Sequence, residues 1–297
     1  MSNNIPPQQL HIPVLLQSVV ELLAPQPGES YLDLTAGYGG HARAIIAKTN
    51  APQKATLVDR DQMALETLND LKQQGTTLVH KTYADYAEEA KREGKQYNMI
   101  LVDLGVSSPQ LDKAERGFSL KRNGPLDMRM DQQTEKTAGD LVNTMSEAEL
   151  ARCIERYGEE PNRRAKVIAR AIVLHRPIRT THELAEVILK THRGAYQKTH
   201  PATRTFQALR IALNDELGQL ERLLAVLPYL LEKGGRAALI SFHSLEDRLV
   251  KRFFAEQDAA GYEAQLHLLT KKAIRGETHD VHNPRARSAS LRAAVKK

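Results

Sequence analysis

The sequence has little cysteine and no long apolar run. Cys153 is the single cysteine in 297 residues, so the chain can form neither an internal disulfide nor a cysteine-based metal cluster. The most apolar stretch, residues 223–231, contains Pro228 and is far too short to cross a bilayer. The first ten residues lack the charged start and apolar run of a signal peptide. We therefore expect a cytoplasmic protein that does not associate with membranes.

Acidic residues are scarce in two segments. Residues 271–297 contain eight Lys or Arg and two acids, and residues 161–179 contain six Lys or Arg and no acid. Clusters of this kind suit a polyanionic partner, because each neutralised phosphate releases counterions. An ordinary solvated basic face would look the same, so charge alone leaves a nucleic-acid partner and a bland surface equally open.

Short apolar runs alternate with helical patterns in the first hundred residues. Strand candidates occur at 31–34, 55–59, 77–80 and 98–104, and helical spacing occurs at 42–48 and 63–73. The run Met99-Ile-Leu-Val102 suits a strand that is buried on both faces. This alternation predicts βαβ units and a parallel sheet.

A long helical stretch then interrupts the pattern. Residues 138–217 read as mostly helical, and the next convincing strand is 236–242. A crossover between neighbouring strands needs only about a dozen residues, and this gap is several times longer. We therefore expect a mixed sheet core from residues 1–111 and 206–297, with a helical domain inserted at 112–205. A helix over 206–232 would return the chain to the core.

The turn after the first strand is rich in glycine. It reads Asp33-Leu-Thr-Ala-Gly37-Tyr-Gly39-Gly40-His41. Ligands of open α/β sheets bind at the carboxyl ends of the strands, where glycine lets the backbone approach closely. The spacing differs from the dinucleotide fingerprint G-x-G-x-x-G. It fits the methyltransferase pattern, in which an acid ends the strand and G-x-G opens a helix. A tight turn without a ligand and a nicotinamide enzyme remain alternatives.

Polar residues end the following strands as well. Asp59 lies 22 residues after Gly37 at the end of the second strand, where a carboxylate can accept both hydroxyls of a ribose. A helix N-cap is the alternative role, and it suits Asp61 better. Tyr83 follows the third strand and could pack against an adenine or belong to the core. Asp103 ends the fourth strand and is expected in the same crevice.

Ten segments, which span nearly the whole chain, form a specific signature: HIPVL at 11–15, GYGGH at 37–41, DRD at 59–61, DLGVSSPQ at 103–110, ERGFS at 115–119, GPLDMRM at 124–130, YGEE at 157–160, HPATRTFQALR at 200–210, SFHSLEDR at 241–248 and NPRARS at 283–288. By these segments the chain closely resembles the ribosomal RNA small subunit methyltransferase H family, also called MraW. The family often has Phe where Tyr83 stands. Thr35 replaces the first glycine of the wider methyltransferase motif.

The resemblance implies an α/β fold, a Rossmann-like class I methyltransferase sheet with an inserted helical domain that recognises the substrate. It implies S-adenosylmethionine as cofactor and N4-methylation of one cytidine in the decoding region of small-subunit (16S) ribosomal RNA. The partner would be that RNA, within the small ribosomal subunit. By motif position, the implied cofactor contacts are Gly39, Gly40, His41, Asp59, Tyr83, Asp103 and Gln110.

The chemistry is less sharply defined by the residues. Asp103 or the groups of residues 104–108 are positioned to accept the amino protons of cytosine, although the usual Asp/Asn-Pro-Pro-aromatic motif is absent. His243 could orient the base, accept a proton or be structural. C5-methylation would need a cysteine nucleophile. Cys153 lies in a helical pattern far from the strand ends, so packing is the expected role.

Four arginines are expected to contact phosphates: Arg129, Arg204, Arg285 and Arg287. Arg129 and Arg204 could instead form ion pairs inside the insert. We expect no metal site, because His182, His192 and His200 lack carboxylates or cysteines at ligand spacing. A second class of function stays open, a non-catalytic RNA-binding protein on a methyltransferase fold, which cofactor binding would distinguish.

Overall fold

The computed structural model describes residues 13–192, 194 and 200–297, so His11 and Ile12 of the HIPVL segment lie outside the described residues. The described chain forms two compact units. The first contains the residues up to Gly105 together with Gln219–Lys297, and the second is Val106–Gly218. The boundaries therefore differ from the expected 111/112 and 205/206. Residues beyond 205 join the second unit because Phe206 and Leu209 belong to its apolar core.

The elements follow one another in the order expected for a sheet with an insert. The first unit opens with α1 (Leu16–Leu23), β1 (Tyr31–Asp33), α2 (Gly40–Thr49), β2 (Ala55–Asp59), α3 (Gln62–Glu66), α4 (Asn69–Gln73), β3 (Thr77–His80), α5 (Tyr83–Arg92) and β4 (Tyr97–Asp103). The second unit contains α6 (Ser108–Asp112), α7 (Ala138–Thr144), α8 (Glu147–Gly158), α9 (Asn162–Leu174), α10 (Thr181–Lys190) and α11 (Thr203–Asn214). The chain then continues through α12 (Glu216–Val226), β5 (Leu231–Ser241), α13 (Ser244–Ala259), β6 (Leu266–Leu268), β7 (Ile274–Arg275), α14 (Gly276–His279) and β8 (Ser290–Lys296).

The sheet is mixed, with the strand order β3-β2-β1-β4-β5-β8-β6 and with β7 paired to β8. Strands β1 to β5 are parallel, and β8 runs antiparallel to β5, β6 and β7. The strand order reverses beside β1, because β2 and β3 extend to one side and β4 and β5 to the other. Such a switch point is where ligands bind in open α/β sheets.

Strand β4 is buried on both faces, as its apolar run predicts. Ile100 and Val102 belong to one apolar cluster of the first unit, and Met99 and Leu101 belong to another. The second unit has its own core, built by helices and the loops before them. No helix in the described ranges is long and apolar enough to span a membrane.

Candidate active site

The first candidate side chain is the aspartate that ends β1. Asp33 is buried, and it accepts hydrogen bonds from the Tyr31 hydroxyl at 2.7 Å and from the Thr35 backbone N–H at 3.1 Å. Burial raises the pKa of Asp33 to about 6, although both hydrogen bonds oppose the shift. The carboxyl group therefore fixes the start of the glycine-rich turn from inside the protein.

The three glycines of this turn have different surroundings. Gly39 caps α2 with a φ of 78°, and a Cβ there would lie 2.6 Å from Leu68 Cδ2. A Cβ on Gly40 would collide with Pro13. Gly37 also has a positive φ, 50°, but its Cβ position meets only the Thr35 carbonyl oxygen, at 3.9 Å. Gly39 and Gly40 are thus required by packing, whereas the backbone at Gly37 is open to a ligand.

Asp59 links the end of β2 to the same turn. Its Oδ2 accepts a hydrogen bond from Gly37 N–H at 2.7 Å, and its Oδ1 accepts one from Asp61 N–H at 2.8 Å. Burial raises the pKa of Asp59, and these backbone hydrogen bonds limit the rise. Asp61 is the N-cap of α3 and accepts from Met63 N–H, so the capping role falls on Asp61 as expected.

Asp103 ends β4 and has an acceptor atom to spare. Its backbone N–H donates to Thr35 Oγ1 at 2.6 Å, and its Oδ2 lies 3.7 Å from Nδ1 of the buried His41. The other carboxylate atom, Oδ1, is buried and has no hydrogen-bond partner among the described residues. Burial, followed by the negative charges of Asp33 and Glu246, raises the pKa of Asp103 well above its usual range. A buried acceptor without a donor among the described residues is available to a ligand.

His41 is held by the backbone on its other side. Its Nε2 lies 3.0 Å from the Val14 carbonyl oxygen, and a carbonyl can only accept. Nε2 therefore carries the proton in the neutral ring, which leaves Nδ1 facing Asp103 as an acceptor until it is protonated. The family resemblance implies a cofactor contact for His41, and the geometry adds a position beside the Asp103 carboxylate.

Two further predicted cofactor contacts have structural roles of their own. Tyr83 is the first residue of α5, and its half-buried ring packs against an apolar cluster of the first unit. Gln110 belongs to the second unit, where its Oε1 accepts from Ser107 N–H at 3.0 Å in the capping box of α6. Cofactor contact by either side chain stays a prediction.

His243 follows β5 and caps α13. Its Nδ1 accepts from Glu246 N–H at 3.4 Å, and Glu246 Oε2 in turn accepts from the backbone N–H groups of Phe242 and His243. The structural role foreseen for this histidine is therefore present, and a catalytic role stays a prediction. The sequence does carry the signal for the cap, because Glu246 stands three residues after the capping residue.

Arg129 and Arg204, the two predicted phosphate contacts that lie in the second unit, both contact acids. Arg129 binds Asp127 through Nε at 2.9 Å and Nη2 at 2.8 Å, and its Nη1 donates to the Thr134 carbonyl oxygen. Nη1 of Arg204, which is 57% exposed, lies 4.0 Å from Glu160 Oε2. The ion pairs expected as the alternative are thus formed. Phosphate contact stays a prediction for both arginines, and the Arg204 side chain is more exposed than that of Arg129.

The single cysteine is buried in the second unit. Its Sγ donates weakly to the Ala208 carbonyl oxygen at 3.6 Å. Burial raises the pKa of the Cys153 thiol to about 11. The thiolate needed for covalent attack is therefore scarce at neutral pH, and the side chain packs as expected.

The basic carboxyl-terminal segment divides into exposed and buried arginines. Arg285 and Arg287 are exposed, in or just after a 3-10 helix at Pro284–Ala286, and Arg287 has no ion pair or hydrogen bond within the described chain. Arg292 lies on β8 and is buried, with its Nε 2.9 Å from Asp247 Oδ1. Part of the charge counted in the sequence is therefore neutralised inside the fold.

The strand order and these side chains together fit an S-adenosylmethionine site. The switch point offers an open backbone at Gly37, the Asp59 carboxylate at the end of the neighbouring strand and the unpaired Oδ1 of Asp103. Carboxylates can accept ribose hydroxyls, and an open glycine lets a ligand approach the turn. A Rossmann-like sheet with this site defines a class I methyltransferase.

The comparisons with known proteins agree. The model of the MraW methylase family matches residues 8–297. Proteins called ribosomal RNA small subunit methyltransferase H are similar: that of Synechocystis sp. is 47% identical over 96% of this chain and 93% of its own length, and that of Deinococcus radiodurans is 47% identical over 97% and 90%. The chain therefore belongs to the MraW methylase family, whose methyl donor is S-adenosylmethionine.

Proposed function

We propose that this methyltransferase acts on small-subunit ribosomal RNA in the cytoplasm and methylates N4 of one cytidine in the decoding region. The relatives' names support ribosomal RNA as the substrate. The observation that carries the N4 assignment is the buried, unpaired Oδ1 of Asp103 at the end of β4. An exocyclic amino group offers the donor that this oxygen lacks.

Asp103 is suited to receive the proton that the amino group must lose. Cytosine N4 is a weak nucleophile because its lone pair is delocalised into the ring, and an acceptor for its N–H localises that pair. A carboxylate with a raised pKa is a stronger base than an exposed one. Oδ1 of Asp103 would first accept the hydrogen bond and then hold the proton.

The cofactor supplies an electrophilic methyl group on a sulfonium. We propose that Asp59 holds its ribose hydroxyls, that the turn of Gly39, Gly40 and His41 supports it, and that Tyr83 packs on its adenine. Gln110 is a further proposed cofactor contact. The enzyme's main task is then to position the two reactants.

Methylation at C5 of cytosine is the alternative within the class, and it requires a cysteine nucleophile. Cys153 argues against this alternative, since it is buried against Ala208 and its thiol pKa is raised to about 11. The proposed N4 chemistry needs no covalent adduct.

The second unit would recognise the RNA. Its helix α9 presents Arg163, Lys166 and Arg170 to solvent without ion pairs to other described residues, whereas Arg164 contacts Glu160. Exposed, unneutralised cations suit phosphates. The target base has to leave its stack to reach a strand end, which favours a single-stranded or distorted RNA site.

Nucleoside analysis tests the proposal. Small subunits from cells lacking the gene are incubated with the protein and S-adenosylmethionine, and the digested RNA is compared by chromatography and mass spectrometry with N4-methyl and 5-methylcytidine standards. We expect N4-methylcytidine from the wild type and at least a hundredfold slower formation with Asp103→Asn, since one preorganised group is lost. The 5-methyl isomer would overturn the N4 assignment. RNA binding without cofactor binding would favour the non-catalytic alternative.

A further inference from the structure

A cavity lies at the same edge of the sheet as Asp103. Its volume is about 460 Å³, and its wall includes Phe242, His243, Lys251, Arg275 and Ser290. Ser241 at the end of β5 pairs with Ser290 at the start of the antiparallel β8, so both border the edge where the parallel strands end. The cavity is distinct from the glycine turn and lies within the first unit.

The cavity carries an excess of positive charge. Among the described residues, Asp247 is the only acid that lines it, and Arg292 binds Asp247 through Nε at 2.9 Å. Arg275 is a weaker partner, with Nη2 3.8 Å from Asp247 Oδ2, and it also donates to Ser290 Oγ. Lys251 is exposed and has no ion pair or hydrogen bond in the described part of the chain. The charge of Lys251 is thus available to an anion.

A buried donor adds to this charge. The His243 side chain is 8% exposed and lines the cavity. Its Nδ1 is the acceptor of the helix cap, so the neutral ring carries its proton on Nε2. Nε2 lies 3.2 Å from Glu246 Oε1 but outside hydrogen-bonding geometry, and no described residue is its hydrogen-bond partner. An acceptor-rich ligand would satisfy it.

The cavity is also next to the reacting end of β4. A Cβ on Gly105, two residues after Asp103, would lie 3.4 Å from the Phe242 ring. A ligand in the cavity would therefore sit one side chain away from the strand that presents Asp103. Arginine, lysine and hydroxyl groups around one space are the usual partners of phosphate oxygens.

We propose that this cavity binds a backbone phosphate of the RNA, next to the nucleotide that is methylated. The inference rests on the proposed RNA substrate and adds a site for it. The bound phosphate would hold the flanking strand while the base reaches Asp103. Lys251 supplies charge to this site and is not part of the methyl-transfer chemistry.

The test compares two variants of the protein, each lacking one exposed lysine. Lys251→Gln removes the cavity charge, and Lys233→Gln removes an equally exposed charge near the amino end of β5. Binding of a single-stranded fragment of the decoding region is measured at several salt concentrations. For Lys251→Gln we expect roughly fivefold weaker binding at low salt and a slope of log affinity against log salt reduced by about 0.7. Lys233→Gln should match the wild type, and both should bind S-adenosylmethionine normally.

Neutral methylphosphonate linkages, placed one at a time beside the target cytidine, locate the phosphate. At one position the neutral linkage should weaken RNA binding by the wild type and should not weaken RNA binding by Lys251→Gln any further. If the wild type and Lys251→Gln lost RNA affinity equally at every position, the proposal would be overturned. The proposal would also be overturned if inorganic phosphate bound the wild type but not Lys251→Gln while the two proteins had equal affinity for RNA. The cavity would then be a site for free anions only. A wild type that binds no small-subunit RNA would instead overturn the proposed function.

Discussion

Three aspartates end neighbouring strands, and their hydrogen bonds give them different tasks. Asp33 and Asp59 accept backbone N–H groups of the chain, whereas Asp103 keeps one buried oxygen unpaired. The sequence predicts all three positions, because each acid follows an apolar run. It does not predict which oxygens are occupied, since Gly37 N–H reaches Asp59 only when β1 and β2 are side by side.

Asp59 therefore supports the fold, and we propose that it also holds the ribose of the cofactor. Asp59→Ala should weaken S-adenosylmethionine binding by about 1.5–3 kcal/mol, the cost of losing a charged acceptor. It should also lower the free energy of unfolding, because Gly37 and Asp61 N–H lose their acceptor. Calorimetry and urea unfolding measure the two effects. Asp59→Asn is the control, as its oxygen can retain one backbone bond, and unchanged affinity in folded Asp59→Ala would remove the residue from the site.

Cys153 is expected to be dispensable for chemistry. Cys153→Ser should keep its methylation rate within about twofold, since the thiol is buried with a pKa of about 11 and no adduct is proposed. Stability should fall by about 1 kcal/mol, because a hydroxyl is less suited to an apolar site. Cys153→Ala separates these effects. Loss of turnover in both variants, if they remain folded and bind cofactor, would reopen C5 chemistry.

At the scale of single elements, the glycine-rich turn is expected to need Gly37 for two reasons, its left-handed backbone and the approach of the cofactor, and a substitution can separate them. Gly37→Ala adds a Cβ at a φ of 50° that meets only the Thr35 carbonyl oxygen, at 3.9 Å, and Gly94→Ala, after α5, adds one to open space at a φ of 67°. Each should cost about 1 kcal/mol of stability, because left-handed backbone is unfavourable for alanine. Only Gly37→Ala should weaken cofactor binding, by tenfold or more. Equal cofactor affinity in the two variants would show that no ligand approaches Gly37.

The strands up to β4 agree with the sequence patterns, but several other elements do not. The helix expected over 206–232 is two helices, because Asp215 takes a left-handed φ of 48° between α11 and α12. The helix expected over 63–73 is likewise divided into α3 and α4. Strands β6 to β8 were not identified in the sequence. Their pairing with one another, and of β8 with β5, is a long-range effect that local periodicity cannot show.

For the whole molecule, the net charge of +6 describes the surface poorly. In the basic segment 161–179, Arg164 contacts Glu160 and Arg176 donates to the Val142 carbonyl oxygen, while Arg163 stays exposed. In the carboxyl-terminal segment, Arg292 is buried and Arg287 is exposed. Glu160 is only four residues from Arg164, but the partners of Arg176 and Arg292 lie 34 and 45 residues away along the chain, where local sequence patterns cannot identify them.

The contrast between the exposed Arg287 and the buried Arg292, five residues apart, gives a prediction for each. Arg287→Ala should weaken binding of the RNA fragment and lower its salt slope by about 0.7–0.9, since an exposed cation that pairs with none of the described residues can contact phosphate. Its thermal stability and cofactor affinity should stay unchanged.

Arg292→Ala should instead lower stability, because it leaves the partly buried Asp247 without its closest partner. We expect a loss of about 3 kcal/mol in unfolding free energy. Arg285→Ala combined with Arg287→Ala extends the test to the NPRARS motif. If that double variant loses stability or cofactor affinity while its RNA salt slope equals that of the wild type, the motif is structural, and phosphate contact by these two arginines is wrong.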